Sequence, residues 1–138
     1  MRRLYILPVL TLVFLSVAQA KAPANEDLRS DLQSALSLAS ETELFIAQIE
    51  NGRLLPRFQS GHADYLRDAA LRQASELLDS SPDSSETRMV AMCAERLESL
   101  AHELALISTM SRNNEEFPKV RRRVEVIKGS ITAARTGL

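Results

Sequence analysis

The sequence is poor in the residues that commonly carry catalysis, metal binding and covalent cross-linking. Its 138 residues include one cysteine, two histidines, no tryptophan, four glycines and only 4% aromatic residues. A single cysteine cannot form a disulfide within the chain, and two histidines leave few nitrogen ligands for a metal or a haem. There is also no glycine-rich phosphate loop. We therefore expect a fold held by core packing alone, without a metal or other cofactor.

The charges show no excess of either sign. The chain has 17 lysines and arginines against 18 aspartates and glutamates. Nucleic-acid binding depends on neutralising phosphates with an excess of basic side chains. We therefore expect no nucleic-acid partner.

The first 20 residues have the pattern of a secretory signal peptide. Arg2 and Arg3 precede an apolar run over residues 4–15, and the small residues Ala18 and Ala20 follow it. The run is shorter than the roughly 20 apolar residues of a membrane-spanning helix. We predict cleavage after Ala20 and export to the periplasm or the outside of a bacterial cell. An uncleaved anchor is the alternative.

The remaining segment, residues 21–138, is expected to form one domain with no stable membrane anchor. With 45% hydrophobic residues the whole chain can build one compact core but not two. Loss of Arg2 and Arg3 leaves 15 basic against 18 acidic residues, a formal charge of −3. Cys93 is far from the cleavage point, so it cannot carry a lipid at the new N-terminus.

Four segments repeat the three-and-four spacing of apolar residues that places them on one face of a helix. The first three cover about 25–50, 62–79 and 85–111, and the fourth has Glu115, Glu116 and Pro118 in its first turn and ends near Arg135. Asn25 and Ser60 are the predicted N-caps of the first two segments, and Asn51-Gly52 is the stop of the first. The predicted apolar faces consist of Leu28, Leu32, Ala35, Ala39, Thr42, Ile46 and Ile49; Leu66, Ala70, Gln73 and Leu77; Val90, Cys93, Leu97, Leu100, Leu104 and Ile107; and Val120, Val124, Ile127, Ile131 and Ala134. Leu36 and Phe45 widen the first face, and Ala69, Ala74 and Leu78 lie beside the second.

Near-heptad spacing in consecutive helices with short connections is typical of antiparallel neighbours in a bundle. We predict an all-α, up-down-up-down four-helix bundle. A three-helix core with a loosely docked terminal helix is the alternative.

A basic cluster opens the fourth segment and is expected to face acidic residues at the end of the first. The cluster is Lys119, Arg121, Arg122 and Arg123, and the acidic residues are Glu41, Glu43 and Glu50. By the same antiparallel arrangement, Lys128 and Arg135 are expected beside Glu26, Asp27 and Asp31. The alternative is a basic docking patch for an anionic partner such as a lipid headgroup or an acidic protein.

The connection over residues 52–61 is apolar where a solvated loop should be polar. Leu54, Leu55 and Phe58 either close the open end of the core or form a partner-binding patch rimmed by Arg53 and Arg57. Pro56 disfavours helical geometry at the residue before it, so we expect at most a short helical turn here.

We find no set of residues that assembles catalytic or metal-binding roles. Glu98 and His102 share a helix face, but that face points away from the apolar residues, and His62 is interpreted as part of a polar first turn. Cys93 lies within the apolar face and is expected to be buried and inert, with a disulfide across a homodimer as the alternative. No catalytic residue is therefore assigned.

By elimination, the sequence favours a non-enzymatic exported helical module that binds an unknown protein partner. The alternative is a carrier or sensor for a small apolar ligand. Such a ligand would occupy space that Ala69, Ala70 and Ala74 leave between the helices.

Overall fold

The computed structural model describes residues 24–80 and 85–138. In these two ranges the chain forms four helices and no strand: α1 (Ala24–Glu50), α2 (Pro56–Asp79), α3 (Thr87–Thr109) and α4 (Phe117–Thr136). The prediction of an all-α fold with four helices is confirmed. The predicted signal peptide, residues 1–20, lies outside the described residues.

The apolar faces of the four helices meet in one core. Every residue of the predicted faces is buried except Gln73 and Ala134, which are half-buried. Of the residues expected beside the faces, Phe45 and Ala74 are buried, Leu36 and Ala69 are half-buried, and Leu78 is 55% exposed, contrary to the prediction. Phe117, which is not on the predicted faces, also belongs to this core, with 1% of its surface exposed. Burial of these side chains is the main stabilising contribution, since no disulfide is available.

The helices pack as neighbours around this core. Helix α2 packs most extensively on α3, and α1 packs mainly on α4; smaller contacts join α3 to α4 and α1 to α2. Helices α1 and α3 meet only slightly. Among the described residues, none of the helices combines the length and the apolar composition that crossing a lipid bilayer requires.

Helix α1 ends in the backbone motif that glycine favours. The N–H of Gly52 donates to the carbonyl of Ile49 at 2.9 Å, and that of Arg53 donates to the carbonyl of Gln48 at 3.0 Å. Gly52 adopts a φ of 65°, which is costly for other residues. The predicted stop at Asn51-Gly52 is confirmed. The start differs from the prediction, because Ala24 is already helical and Asn25 is therefore not the cap.

Helix α2 begins six residues earlier than the sequence predicted, at Pro56 instead of His62. Proline suits the first helical turn, since its φ is already helical and no hydrogen bond is required of its nitrogen there. The restriction that proline imposes falls on Leu55, which is extended (φ −73°, ψ 144°) and precedes the helix. The expectation of only a short turn was wrong, and Ser60 is inside the helix instead of capping it.

Candidate functional site

The corner between α1 and α2 divides its apolar residues between core and solvent. Leu54 is half-buried and packs against the core. By contrast, Leu55 is 74% exposed and Phe58 is 53% exposed. Arg53 and Arg57 on either side are also exposed. Of the predicted partner-binding residues, only Leu54 therefore helps to close the core.

Exposed rings continue along α2 from this corner. The rings of Phe58 and His62 stack with centroids 5.3 Å apart, and those of His62 and Tyr65 with centroids 6.0 Å apart. Tyr65 is 60% exposed. Phe58, His62 and Tyr65 follow one another at steps of four and three residues, which places them on one face of α2. Leu55, the extended residue immediately before the helix, lies three residues before Phe58. We call these four residues the α2 ridge.

His62 attaches the α2 ridge to α1. Its ring meets the buried ring of Phe45 edge-on, with centroids 4.8 Å apart, and its Nε2 lies 3.5 Å from Oε1 of Glu41. His62 lies in the second turn of α2 instead of the first, contrary to the sequence interpretation. Tyr65 was not among the predicted partner-binding residues, although its spacing from residues 55, 58 and 62 is present in the sequence.

Gln59 fixes the start of α2 against the end of α3. Its side chain is buried, and Nε2 donates to the carbonyls of Ile107 at 3.1 Å and Met110 at 2.8 Å. These carbonyls belong to the last turn of α3 and the residue after it, where helices leave acceptors without internal partners. Arg112 also donates to the carbonyl of Leu54 at 3.2 Å. These hydrogen bonds hold the start of α2, which carries the α2 ridge, against the end of α3.

Most of the predicted basic patch is neutralised by nearby carboxylates. Arg121 donates to Glu50 at 2.6 Å, and Lys119 donates to Glu116 at 2.7 Å. The remaining members are Arg122 and Arg123.

Arg123 makes two hydrogen bonds to Glu103, at 2.7 and 2.8 Å, and the bond to this carboxylate raises the pKa of the guanidinium. Arg122 has no carboxylate partner among the described residues. It is the member of the patch whose charge is not paired with a carboxylate of the described residues.

The pairing of α4 with α1 follows a different register from the predicted one. Lys128 donates to Glu43 at 2.6 Å, not to the acidic residues at the start of α1. Arg121 and Lys128 are seven residues apart, as are Glu43 and Glu50, so two turns of one helix match two turns of the other. Glu41, which was expected near α4, instead lies beside His62 of α2.

Arg135 forms no ion pair with Glu26, Asp27 or Asp31 among the described residues, in contrast to the predicted pairing. The register of the Glu50 and Glu43 pairs, extended by two turns, brings Arg135 level with Leu36 instead of with Asp31. The Nε of Arg135 is buried and has no hydrogen-bond partner.

A groove lies between α3 and α4, with a cavity volume of about 490 Å³. Val126 lines it and is 60% exposed, while Ile127 beside it is 5% exposed. We call it the α3–α4 groove. Its lining comprises Arg96, Ser99, His102, Glu103, Arg122, Arg123, Val126 and Ile127.

The cysteine and the three alanines that the sequence pointed to are buried or half-buried. Cys93 is fully buried, and burial raises the pKa of its thiol, which favours an unreactive side chain. Ala70 and Ala74 are buried in the core and Ala69 is half-buried. Within residues 24–80 and 85–138, no three His, Cys, Asp or Glu side chains are grouped so that they could hold a metal ion.

No protein-family model, curated protein or solved structure matches the chain. Its function is therefore inferred from its own surfaces. Two of them combine apolar contact area with arginines that form no ion pair with another described residue: the α2 ridge with Arg53 and Arg57, and the α3–α4 groove with Arg96 and Arg122.

Proposed function

We propose that this chain is a non-enzymatic, exported helical module that binds another protein through the α2 ridge. The exposure of Leu55 and Phe58, at 74% and 53%, carries this proposal. Aromatic side chains and arginine are enriched at protein interfaces, and large apolar anchors next to arginine are typical of their strongest contacts. Arg53 and Arg57 provide that arginine rim.

The partner that fits best is an amphipathic helix with acidic residues beside its apolar face. The α2 ridge repeats at three and four residues, the spacing by which two helices interlock side chains. The positive charges of Arg53 and Arg57 complement acidic flanks and oppose basic ones. A preformed helix face also loses little conformational freedom on binding, because Gln59 and Phe45 already hold it.

Our proposed topology for the module is an antiparallel up-down-up-down bundle. Contacts between helix ends support it: Gln59 near the start of α2 bonds to the end of α3, and Arg121 near the start of α4 bonds to Glu50 at the end of α1. Arg123 near the start of α4 likewise bonds to Glu103 in the second half of α3. Export is supported by the signal-like pattern of residues 1–20.

Site-specific photo-crosslinking in the native cell tests the binding surface. Benzoylphenylalanine replaces Phe58 in one chain, Tyr65 in a second and Ser30, an exposed residue of α1, in a control chain. We expect positions 58 and 65 to give the same protein adduct and position 30 to give none. Adding Arg53→Glu and Arg57→Glu to the position-58 chain should reduce the adduct at least tenfold.

Two results would contradict the proposal. Adducts from positions 58 and 65 that are no stronger than those from position 30 would show that the α2 ridge has no protein partner. An adduct with a second copy of the chain, together with a dimer on size-exclusion chromatography, would make the surface a homodimer contact instead. Circular dichroism of each chain checks that the replaced side chains have not altered the fold.

A further inference from the structure

We propose that the α3–α4 groove is a binding site for a single-chain amphiphile with an anionic head group, a carboxylate or a phosphate. In this site Arg96 and Arg122 contact the head group, and Val126 and Ile127 contact the hydrocarbon chain. The site shares no residue with the α2 ridge, so it is independent of the proposed protein interaction.

The charges that line the groove do not balance. Three arginines face a single carboxylate, and that carboxylate, Glu103, is bound by Arg123 through two hydrogen bonds. Within the part of the chain that the structure describes, Arg96 and Arg122 have no carboxylate partner. One unneutralised arginine therefore comes from each wall of the groove, which favours an anionic occupant.

Arg96 lines the same groove from the α3 side. Its Nε is buried and has no hydrogen-bond acceptor among the described residues. Because that nitrogen is not accessible from the groove, an anionic oxygen would bind the terminal nitrogens of the guanidinium instead. Arginine is also the side chain best suited to carboxylate and phosphate oxygens, because its planar group presents several donors.

The basic surface extends from the groove towards the start of α4. A smaller hollow of about 260 Å³ is lined by Pro118, Lys119, Arg122 and Arg123, so it shares Arg122 and Arg123 with the groove. Lys119 is bonded to Glu116, and Arg123 to Glu103, whereas Arg122 remains available.

The apolar part of the groove explains why a small inorganic anion alone is not the best fit. Val126 leaves 60% of its surface exposed, and the buried side chain of Ile127 lies next to it. A hydrocarbon chain laid across Val126 would remove that apolar surface from water. The volume of about 490 Å³ is in the range of small-molecule sites, roughly 300–1,000 Å³, and suits one chain better than a bulky two-chain lipid.

The site is tested by NMR titration of the full ¹⁵N-labelled chain with sodium dodecanoate below its micelle concentration. We expect saturable shifts at the amides of Ser99, His102, Val126 and Ile127. Dodecyltrimethylammonium, which has the same chain and a positive head, should give no saturable shift at these amides. Butyrate, which has the head but a short chain, should bind at least tenfold more weakly. Dodecyl phosphate distinguishes a phosphate site from a carboxylate site by its relative affinity.

Matched variants separate the groove from unspecific binding. Arg122→Gln and Arg96→Gln should each weaken dodecanoate binding, and the pair together should weaken it more than tenfold. Arg29→Gln and Arg72→Gln, at exposed arginines outside the groove lining, should leave the affinity unchanged. If Arg96→Gln disturbs folding, Val126→Asp tests the groove instead. Val126 is exposed, so its replacement should abolish dodecanoate binding without unfolding the chain.

Three outcomes would overturn the site. Shifts spread over all helices would indicate detergent-like binding, and equal affinity for the cationic amphiphile would remove the role of the arginines. Unchanged affinity in both Arg122→Gln and Val126→Asp would exclude the groove. None of these outcomes affects crosslinking at Phe58, so failure of this site and failure of the proposed protein interaction can be distinguished.

Discussion

Asp31 is a carboxylate that the fold disfavours in its charged form. Partial burial raises its pKa, and the negative charges of Glu76 on α2 and Asp27 one turn earlier on α1 raise it further. The folded chain therefore holds the Asp31 proton more tightly than the unfolded chain does. By linkage, the contribution of Asp31 to stability improves as the pH falls through its raised pKa and is least favourable at neutral pH.

Replacing Asp31 with Asn should stabilise the chain at pH 7 by up to about 1 kcal/mol, because solvent screens part of the repulsion. The gain should shrink towards zero at about pH 3, below the unfolded value of about 3.9, where the wild-type side chain is also neutral. Urea denaturation at both pH values measures this difference. A gain of equal size at both would show that charge is not its cause.

Leu100 tests the core at a single residue. Its side chain is fully buried on α3, and Leu100→Asp would place an unpaired charge among apolar neighbours. We expect a loss of about 4 kcal/mol or more, enough to abolish cooperative thermal unfolding followed by circular dichroism. Leu71→Asp, at a leucine that is 47% exposed, is the matched control and should cost less than about 1 kcal/mol. Similar effects of the two substitutions would contradict the assigned core.

At the scale of the elements, the end of α1 and the start of α2 show what local rules capture. The stop at Asn51-Gly52 was predictable because it depends on backbone conformation alone. The start of α2 was misjudged because the proline rule concerns the preceding residue, Leu55, and leaves Phe58 free to be helical. The spacing of the α2 ridge was equally present in the sequence, but its exposure depends on how α2 packs on α3.

The two glycines of this region should respond in opposite directions to alanine. Gly52→Ala should destabilise the chain by about 1 kcal/mol, because alanine disfavours the φ of 65°. Gly61→Ala should stabilise it by about 0.5–1 kcal/mol, because Gly61 is helical and an added Cβ meets no atom within 4 Å. Urea denaturation of both variants measures the effects. The same sign for both would mean that Gly52 does not act through its backbone conformation.

For the whole molecule, the predicted all-α class follows directly from four separate apolar faces, whereas the helix register does not. Arg121 and Lys128 are two turns apart on α4, and their partners Glu50 and Glu43 are two turns apart on α1, so both pairs form at the same offset. Basic residues of α4 do pair with acidic residues of α1, as predicted, but Lys128 pairs with Glu43 instead of with the start of α1. Exposed ion pairs contribute only about 0–1 kcal/mol each, so core packing, not charge, sets the offset.

Export is a prediction at this scale as well. We expect protein isolated from its native source to begin at Lys21, the residue after the predicted cleavage point, and to occur outside the cytoplasm. N-terminal sequencing together with cell fractionation measures this. Replacing Ala18 and Ala20 with bulky residues should block cleavage, since the processing site requires small side chains. Retention of Met1 or of the apolar run in the native protein would disprove the prediction.

The sequence by itself determined the number of helices, most of the residues in the core and the stop of α1, because each depends on periodicity or local backbone preference. Tertiary structure alone decided that Leu55, Phe58 and Tyr65 stay exposed and that Gln59 binds the end of α3. It also decided that Arg96 and Arg122 have no carboxylate partner within residues 24–80 and 85–138. These properties depend on which faces of different helices meet and at what offset. That choice is made by the packing of side chains distant in sequence, which no local pattern records.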